Sequence, residues 1–180
     1  MRIINGFLGG RNITPPHNFS ARPTTDFAKE ALFNILIGHF DLTHIAVLDL
    51  FSGTGCISYE FASRGCPHVD SVESNWKNRA FIQQTIRNLR LQQIRSYQRD
   101  AFVYLRSCTE QYNIIFADPP YNLDAAELIP NIVFEQKLLA PDGWLILEHD
   151  KHRNFEQHPH ILQHRNYGNV HFSMFAEILS

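Results

Sequence analysis

The chain has 180 residues, 44% of them hydrophobic, and a formal net charge of −2. This length and apolar content predict one buried core in one domain, and no run is apolar for long enough to span a bilayer. The slightly acidic balance argues against a protein that binds polyanions through its net charge alone.

Charge is nevertheless unevenly distributed. Residues 77–106 carry seven Lys and Arg against the single acid Asp100, whereas residues 107–150 are acidic. The basic residues among the first 29 positions are Arg2, Arg11, Arg22 and Lys29. Such a bipolar surface suits a protein that docks one face on phosphates, although basic helices are often simply solvated.

The three cysteines, Cys56, Cys66 and Cys108, lie far apart and form no Cys-x-x-Cys pair. This spacing predicts buried thiols in a reducing compartment rather than a disulfide or zinc framework. Residues 1–6 lack the apolar region of a secretory signal, so a cytoplasmic protein is expected. No general base is identifiable beside Cys56, and a packing role is expected for it.

Several histidines near the C-terminus raise the question of a metal site. They are His149, His152, His158, His160 and His164. The region is predicted to be loop and edge strand, without the supporting residues that a metal site needs. Solvent-exposed or turn histidines, and no metal, are therefore expected.

The N-terminal part is predicted to form a hairpin and a helix. Residues 2–13 suggest a small hairpin around Gly9-Gly10. Thr25 or Asp26 is a suitable N-cap for a helix that runs through Leu36. The apolar stripe of that helix consists of Ala28, Leu32, Ile35 and Leu36.

Strands then alternate with helices along the rest of the chain. The predicted strands are residues 45–51, 68–73, 95–99, 112–117 and 144–148, and the predicted helices are residues 57–64, 75–89, a short one from 101, and 124–139. Residues 160–166 and 169–178 alternate like a hairpin. This order predicts an α/β fold with a mostly parallel, doubly wound sheet and an antiparallel edge formed by the C-terminal hairpin.

The first strand leads into a glycine loop, Asp49-Leu50-Phe51-Ser52-Gly53-Thr54-Gly55. It is not a dinucleotide fingerprint, because Ser58 stands at the third glycine position, and it is not a P-loop, because no Gly-Lys-Ser/Thr follows. The loop begins with an acid, and its glycines are not part of a phosphate-binding motif. Such a loop suits a ligand that has an ammonium group and no phosphates. S-adenosylmethionine has this character: Asp49 would attract its amino group, and the glycines would admit its thioether arm.

Two further acids close the next two predicted strands. Glu73 ends the second strand, where a carboxylate can accept both ribose hydroxyls. Asp100 ends the third, where it can accept the adenine amine beside the backbone N–H of Ala101. Each acid taken singly is more often an N-cap of the following helix. Asp49, Glu73 and Asp100 at three successive strand ends, together with the glycine loop, favour a cofactor site.

The fourth strand ends in Asp118-Pro119-Pro120-Tyr121. The prolines donate no N–H, so nearby carbonyl groups face outward without a partner. Asp118 and these carbonyls can accept both hydrogens of an amino group while Tyr121 stacks on its ring. Alone, the tetrapeptide could be only a rigid turn. Beside a cofactor site, it indicates methyl transfer to a flat heterocyclic amine.

With these motifs the sequence resembles class I, Rossmann-like S-adenosylmethionine-dependent methyltransferases. Within that class it is similar to the bacterial enzymes that methylate the exocyclic amine (N2) of a guanine in small-subunit (16S) ribosomal RNA. The resemblance covers nearly the whole chain. Its segments are Met1-Arg2-Ile3-Ile4-x-Gly6, Gly10-Arg11, Arg22-Pro23-Thr24-Thr25-Asp26, Glu30-Ala31-Leu32-Phe33-Asn34-Ile35-Leu36, Val47 through Gly55, Asp118-Pro119-Pro120-Tyr121 and Tyr167-Gly168.

The resemblance implies one methyltransferase domain over residues 1–180, with a hairpin and helix extension over 1–43 and a Rossmann-like core over 44–180. It also implies a role for particular residues. The cofactor-binding set is Arg22, Thr24, Asp49, Phe51, Ser52, Gly53, Gly55, Glu73, Ser74, Asp100, Ala101 and Asp118. The catalytic set is Asp118, Pro119, Pro120 and Tyr121, and the substrate-binding set is Arg2, Arg11, Arg22, Thr25, Lys29 and Tyr121. The implied substrate is ribosomal RNA within an assembled small subunit, and the implied active form is a monomer.

Two other functions remain open from the residues alone. DNA methyltransferases that act on adenine N6 or cytosine N4 also use Asp-Pro-Pro-Tyr, but they usually carry an extra target-recognition domain, for which 180 residues leave little room. The second alternative is a non-catalytic subunit of methyltransferase fold that binds RNA or protein. The intact acids and loop glycines argue against it.

Overall fold

The computed structural model describes residues 1–16 and 25–177. The helices are α1 (Asp26–Ile37), α2 (Cys56–Ser63), α3 (Trp76–Leu89), α4 (Ala101–Ser107) and α5 (Ile129–Glu135), with 3-10 turns at Leu42–His44 and Asp124–Leu128. The strands are β1 (Ala46–Leu50), β2 (His68–Glu73), β3 (Ile94–Gln98), β4 (Tyr112–Ala117), β5 (Leu139–His149), β6 (Ile161–Tyr167) and β7 (Val170–Ala176). None of the helices in these ranges has both the length and the hydrophobicity of a membrane-spanning segment.

The seven strands form one sheet in the order β3-β2-β1-β4-β5-β7-β6. Strands β1 to β5 run parallel, and β7 runs antiparallel to both β5 and β6. The order changes direction between β1 and β4, which makes the gap beyond their carboxyl ends the switch point of the sheet. The predicted α/β fold with an antiparallel C-terminal edge is confirmed.

Most predicted elements lie within one or two residues of their expected positions. Thr25 is the N-cap of α1, and its hydroxyl accepts the Ala28 N–H at 3.2 Å. The predicted N-terminal hairpin is reduced to a single antiparallel bridge between Arg2 and Asn12, closed by a turn in which Gly10 has φ +83°. Local capping and turn signals therefore place these elements correctly.

The prediction of one continuous helix over residues 124–139 is wrong. A 3-10 turn precedes α5, because Pro130 lies in the first turn of α5 and has no N–H with which to continue a helix from upstream. Strand β5 also begins earlier than predicted. Its residues 140–143 bulge out between the paired positions Tyr112–Leu139 and Ile114–Trp144.

Hydrophobic clusters cover both faces of the sheet. Leu32 of α1 and Phe61 of α2 belong to the cluster on one face, and Leu105 of α4 belongs to the cluster on the other. Successive residues of β5, Ile146 and Leu147, supply one side chain to each cluster. The central strands are thus buried on both faces, as in parallel sheets generally, whereas the edge strands β3 and β6 are partly exposed.

Lys29 does not lie on the surface where a substrate contact was expected. Its side chain is 2% exposed, and its Nζ lies 3.5 Å from the buried carboxylate of Glu60 and donates to the Arg2 carbonyl. Glu60 also accepts the Ile4 N–H at 2.8 Å and pairs with Arg64 at 2.9 Å. The expected substrate-binding role of Lys29 is therefore corrected: it anchors the N-terminal segment to α2.

The expectation of solvent-exposed or turn histidines is wrong for His149, which is buried at the end of β5. Its Nε2 hydrogen-bonds with the Ser173 hydroxyl at 2.8 Å, and its ring stacks near that of His164. His171 is buried beside it. Burial lowers the pKa of His149 to about 4, so its imidazole is neutral at pH 7 and packs as an aromatic ring.

Candidate functional site

A cavity of about 440 Å³ opens at the carboxyl edge of the sheet, at the switch point between β1 and β4. Its walls come from the segments that follow β1, β2 and β4. The lining residues are Asp49, Phe51, Ser52, Gly53, Thr54, Cys56, Ile57, Glu73, Ser74, Asn75, Asn78, Phe116, Asp118, Pro119, Pro120 and Tyr121. Crevices at this place bind ligands in doubly wound sheets.

The glycine loop between β1 and α2 needs left-handed backbone. Gly53 has φ +55° and Gly55 has φ +84°. A Cβ atom on Gly55 would lie 2.6 Å from Cζ of Tyr59, so a side chain at this position would be strained by both its backbone and its neighbour. Phe51 is also left-handed, and its ring packs edge-on to Phe102 at 6.1 Å between centroids. The loop thus brings its backbone to the cavity wall.

Asp49 is buried on β1 beneath the loop. Its Oδ2 accepts hydrogen bonds from the Ser58 N–H at 3.1 Å and from the Ser58 hydroxyl at 2.5 Å. Burial raises the pKa of Asp49 to about 7, although the Ser58 hydrogen bonds favour the ionised form. A positive charge that enters the cavity would therefore ionise this carboxyl fully.

Glu73, at the end of β2, braces the loops around the cavity. Its Oε2 accepts the Gly53 N–H at 2.8 Å, and its Oε1 accepts the Asn75 N–H at 2.7 Å. Ser52 adds a second brace, because its hydroxyl lies 3.0 Å from the Val72 carbonyl oxygen. Each carboxylate oxygen has a second lone pair, so Glu73 keeps acceptor capacity toward a ligand.

Asp100 follows β3 and caps α4, where it accepts the Val103 N–H at 3.0 Å. Ser74 lines the cavity, whereas Asp100 and the buried Ala101 are not among its described lining residues. The side chain of Asp100 therefore acts as the N-cap of α4 in this structure. Because a capping carboxylate retains free lone pairs, its contact with an adenine ring stays a prediction.

Asp118 stands at the end of β4, across the switch point from Asp49. Its N–H lies 3.5 Å from the Leu50 carbonyl oxygen, which joins the ends of β4 and β1. Burial, together with the charges of Glu148 and Asp49, raises the pKa of Asp118 well above its ordinary value. The charges of Glu148 and Asp49 thus oppose the ionisation of Asp118 until a positive charge balances them.

Glu148, which is not among the site residues predicted from the sequence, is buried near the end of β5. Its charge acts on Asp118 and on Cys56 of the cavity wall. A signal was present, because the fifth predicted strand ends at Glu148. The rule that selects Asp49 and Glu73, an acid at a strand end, selects Glu148 as well.

The residues after Asp118 turn sharply at the mouth of the cavity, where the Leu123 N–H donates to the Pro120 carbonyl at 2.9 Å. Nη2 of Arg153, from the segment after β5, donates to the carbonyls of both Tyr121 and Leu123 at 2.9 Å. Arg153 thereby ties this turn to its neighbouring segment. Tyr121 is 46% exposed at the rim, and Pro119 is buried.

Of the expected substrate-binding residues that the structure describes, Tyr121 lines the cavity, and Arg2, Arg11, Thr25 and Lys29 do not. Arg22 and Thr24 lie outside the described residues. Arg2 and Arg11 are exposed on the N-terminal segment, and Arg2 lies 3.3 Å from Asp26. Thus the structure brings together the cofactor candidates of β1, β2 and β4 and the residues 118–121, while Arg2 and Arg11 lie on the surface outside the cavity.

Several lining residues carry no signal in the sequence. Ile57 and Asn78 reach the cavity from helices, and Phe116 reaches it from within β4. Cys56 also lines it, but burial raises the pKa of its thiol to about 12, so it is neutral and is no nucleophile at pH 7. Only the packing of helix on sheet brings such positions to a site.

The chemistry of the lining fits a positively charged ligand without phosphates. Asp49, Glu73 and Asp118 supply carboxyl groups, and none of the described lining residues is Lys, Arg or His. S-adenosylmethionine carries a sulfonium and an ammonium group and has no phosphate. Its charge would relieve the mutual repulsion of the acids. Gly53 lines the cavity, whereas Gly55 is not among the described lining residues, and the ring of Tyr59 fills the space where its side chain would lie.

The fold and the cavity together define a class I S-adenosylmethionine-dependent methyltransferase. A solved structure from Thermus thermophilus superposes with a TM-score of 0.86 at 25% identity, over 97% of this chain and 98% of that one. SMU.776, solved in complex with SAH, shares the fold with a TM-score of 0.61 at 19% identity, over 82% of this chain and 49% of that one.

The chain belongs to the family described as Conserved hypothetical protein 95, whose model matches residues 1–176. It is 31% identical over 151 residues to ribosomal RNA small subunit methyltransferase D of Escherichia coli (strain K12), which covers 82% of this chain and 74% of that one. It is 32% identical over 155 residues to YlbH of Bacillus subtilis (strain 168), over 84% of this chain and 83% of that one. The family resemblance expected from the motifs is confirmed.

Proposed function

We propose that this protein transfers the methyl group of S-adenosylmethionine to the exocyclic N2 of a guanine in small-subunit ribosomal RNA. The observation that carries the proposal is the turn of residues 118–121 at the mouth of the acid-lined cavity. The turn sets amine acceptors and an aromatic ring beside Asp49 and Glu73, so one site can hold the methyl donor and the flat acceptor together.

S-adenosylmethionine supplies an electrophilic methyl group. Asp49 would hold its ammonium group, and Glu73 would accept its ribose hydroxyls. Asp100 and the Ala101 N–H would contact its adenine. Because these groups are fixed by capping and bracing hydrogen bonds, they orient the donor without reorganising during the reaction.

The exocyclic amine of guanine is a poor nucleophile, because its lone pair is conjugated with the ring. Asp118 and the Pro119 carbonyl would accept its two hydrogens and favour a pyramidal nitrogen whose lone pair leaves the ring plane. Asp118 would then take the proton that the methylated, cationic nitrogen releases. Tyr121 would stack on the flipped base and offset part of the few kcal/mol that unstacking costs.

The choice of ribosomal RNA as substrate rests on the relatives. Ribosomal RNA small subunit methyltransferase D of E. coli shares 31% of its aligned residues with this chain. The exposed Arg2 and Arg11 on the N-terminal segment are suited to phosphate contacts. The proposal takes the assembled small subunit as substrate and a metal-free monomer in the cytoplasm as the active form.

Transfer of tritium from labelled S-adenosylmethionine tests the proposal. Small ribosomal subunits from a strain that lacks the protein, free 16S RNA and duplex DNA are offered in parallel, and the labelled nucleic acid is digested to nucleosides. We expect label in the small-subunit RNA, in a nucleoside that comigrates with N2-methylguanosine. The same nucleoside should be missing from that strain's RNA before treatment.

Other outcomes assign the alternatives. Label in DNA as N6-methyladenine or N4-methylcytosine would identify a DNA amino-methyltransferase. Cofactor binding by calorimetry without transfer to any of these substrates would favour a non-catalytic subunit. Label in another ribosomal nucleoside would keep the enzyme class and overturn the guanine N2 target.

Cofactor binding is expected to depend on pH through Asp49. Since the pKa of Asp49 in the empty cavity is about 7, binding an ammonium group below that pH first requires loss of a proton. The Kd for S-adenosylmethionine should therefore rise about tenfold per pH unit as the pH falls below 7, and it should level off above 8. Calorimetry from about pH 5.5 to 8.5 measures this.

Asp49→Asn is the matched control for this prediction, because it keeps an oxygen for Ser58 but cannot ionise. It should bind more weakly at pH 8 and lose most of the slope. Asp118 has a raised pKa as well, so any slope that remains in the variant reports Asp118. A flat wild-type profile below pH 7 would contradict the assignment of Asp49.

A further inference from the structure

Phe27, in the first turn of α1, is 68% exposed. Its ring packs edge-on against Tyr167 of β6, with 5.9 Å between the ring centroids. We call this pair, Phe27 and Tyr167, the aromatic platform. Neither residue lines the cavity described above.

The aromatic platform lies at the same edge of the sheet as the cavity. Strand β7 runs antiparallel to both β5 and β6, so β6 points in the same direction as β5 and β4. Tyr167, the last residue of β6, therefore stands at the carboxyl edge, as Asp118 does after β4. The order β4-β5-β7-β6 separates the two strands by three spacings, on the order of 14 Å.

Rigid packing supports the aromatic platform from below. Tyr167 contacts the buried ring of Phe172 at 6.0 Å between centroids, and Phe172 contacts Phe116 at 6.4 Å. Phe116 lines the cavity. A continuous row of aromatic side chains thus runs from the exposed ring of Phe27 to the cavity wall, so the platform and the cavity keep a fixed separation.

Each residue of the aromatic platform has an exposed arginine close to it. Arg165 is exposed two residues before Tyr167 on the same face of β6, and it lies opposite Phe172 in the strand register. Arg2 is exposed as well, and its Nε lies 3.3 Å from the carboxylate of Asp26, the residue before Phe27. An exposed aromatic ring with arginines nearby is a surface that can stack bases of single-stranded nucleic acid and neutralise their phosphates.

We propose that the aromatic platform binds an unpaired nucleotide of the RNA strand that carries the target base. A strand whose target base is flipped into the cavity passes over the neighbouring edge of the sheet, and its next bases are unstacked there. Stacking on Phe27 would offset that loss and fix the strand. This inference rests on the proposed function and adds to it a subsite that holds a nucleotide beside the target by stacking.

The test compares Phe27→Leu and Phe27→Trp with Phe7→Leu. Phe7 is a matched control, because it is 65% exposed. Its backbone N–H donates to the carbonyl of Ser63 at the end of α2, so it lies at the opposite edge of the sheet. The probe is a fluorescein-labelled single-stranded RNA of mixed sequence, followed by anisotropy. We expect Phe27→Leu to raise its Kd about tenfold, and Phe27→Trp and Phe7→Leu to leave it unchanged.

Methyl transfer to small ribosomal subunits is measured for the same proteins. Phe27→Leu should raise the KM for subunits and leave the Kd for S-adenosylmethionine unchanged. If the wild-type protein methylates the subunits and Phe27→Leu has the same KM and RNA affinity as the wild type, the platform is refuted and the proposed function stands. Equal weakening by Phe7→Leu would also refute the platform. If the wild type methylates no RNA, the proposed function fails and the platform with it.

Discussion

Asp118→Ala is expected to lower the kcat of methyl transfer about 100- to 1000-fold while S-adenosylmethionine still binds. The carboxylate of Asp118 would accept a hydrogen bond from the amine only where the nitrogen becomes pyramidal, as it does in the transition state. Removing the carboxylate should therefore slow the reaction more than it weakens binding. Single-turnover transfer to small ribosomal subunits measures the rate, and calorimetry measures cofactor affinity. Near-normal turnover would contradict the assignment of Asp118.

Thermal unfolding separates this loss of activity from misfolding. Folding raises the pKa of Asp118, so its proton stabilises the folded state at low pH, and that contribution is lost as the pH rises through the raised value. Removing the carboxyl should therefore leave the melting temperature at pH 8 unchanged or higher. Asp124→Ala, the same change at an exposed position six residues on, is the control and should keep full activity.

Lys29→Ala is expected to destabilise the protein by about 3 kcal/mol, since it leaves the buried carboxylate of Glu60 with one fewer positive partner. The cost is at the lower end for a broken buried pair, because Arg64 still contacts Glu60 at 2.9 Å. For a chain of this length, that corresponds to a fall of about 6–12 °C in melting temperature. Scanning calorimetry measures it.

Lys77→Ala is the matched control for this prediction, because Lys77 is exposed on α3. Its removal should change stability by less than about 0.5 kcal/mol. The comparison also distinguishes the two roles considered for Lys29. An unchanged melting temperature together with weakened RNA binding would restore Lys29 as a substrate contact and overturn the anchoring role.

The acids of the site differ in how easily the sequence identifies them. Asp49, Glu73 and Asp118 each lie at or next to the end of a predicted strand, and glycine, asparagine or proline follows within a few residues. Because such signals lie within a few residues of one another, the alternation of strands and helices and the carboxyl-edge location follow from them. Glu148 obeys the same rule and is equally identifiable from the sequence.

Other features depend on residues that are distant in sequence. Lysine is usually a surface residue, yet Lys29 is buried, because it contacts Glu60 of α2 and the Arg2 carbonyl. These partners lie 31 and 27 positions away from it in the sequence. His149 is buried because β7 and β6 fold back beside β5. The aromatic platform is likewise formed between the start of α1 and the end of β6.

The sequence by itself determined the α/β order, the left-handed glycine loop, the acids at the strand ends and the diproline turn, since each follows from neighbouring residues. Only the tertiary structure decided which charges are buried, how far the carboxyl groups of Asp49 and Asp118 resist ionisation, and which aromatic rings stay at the surface. Desolvation and packing depend on every element around a side chain, and no local pattern carries that information.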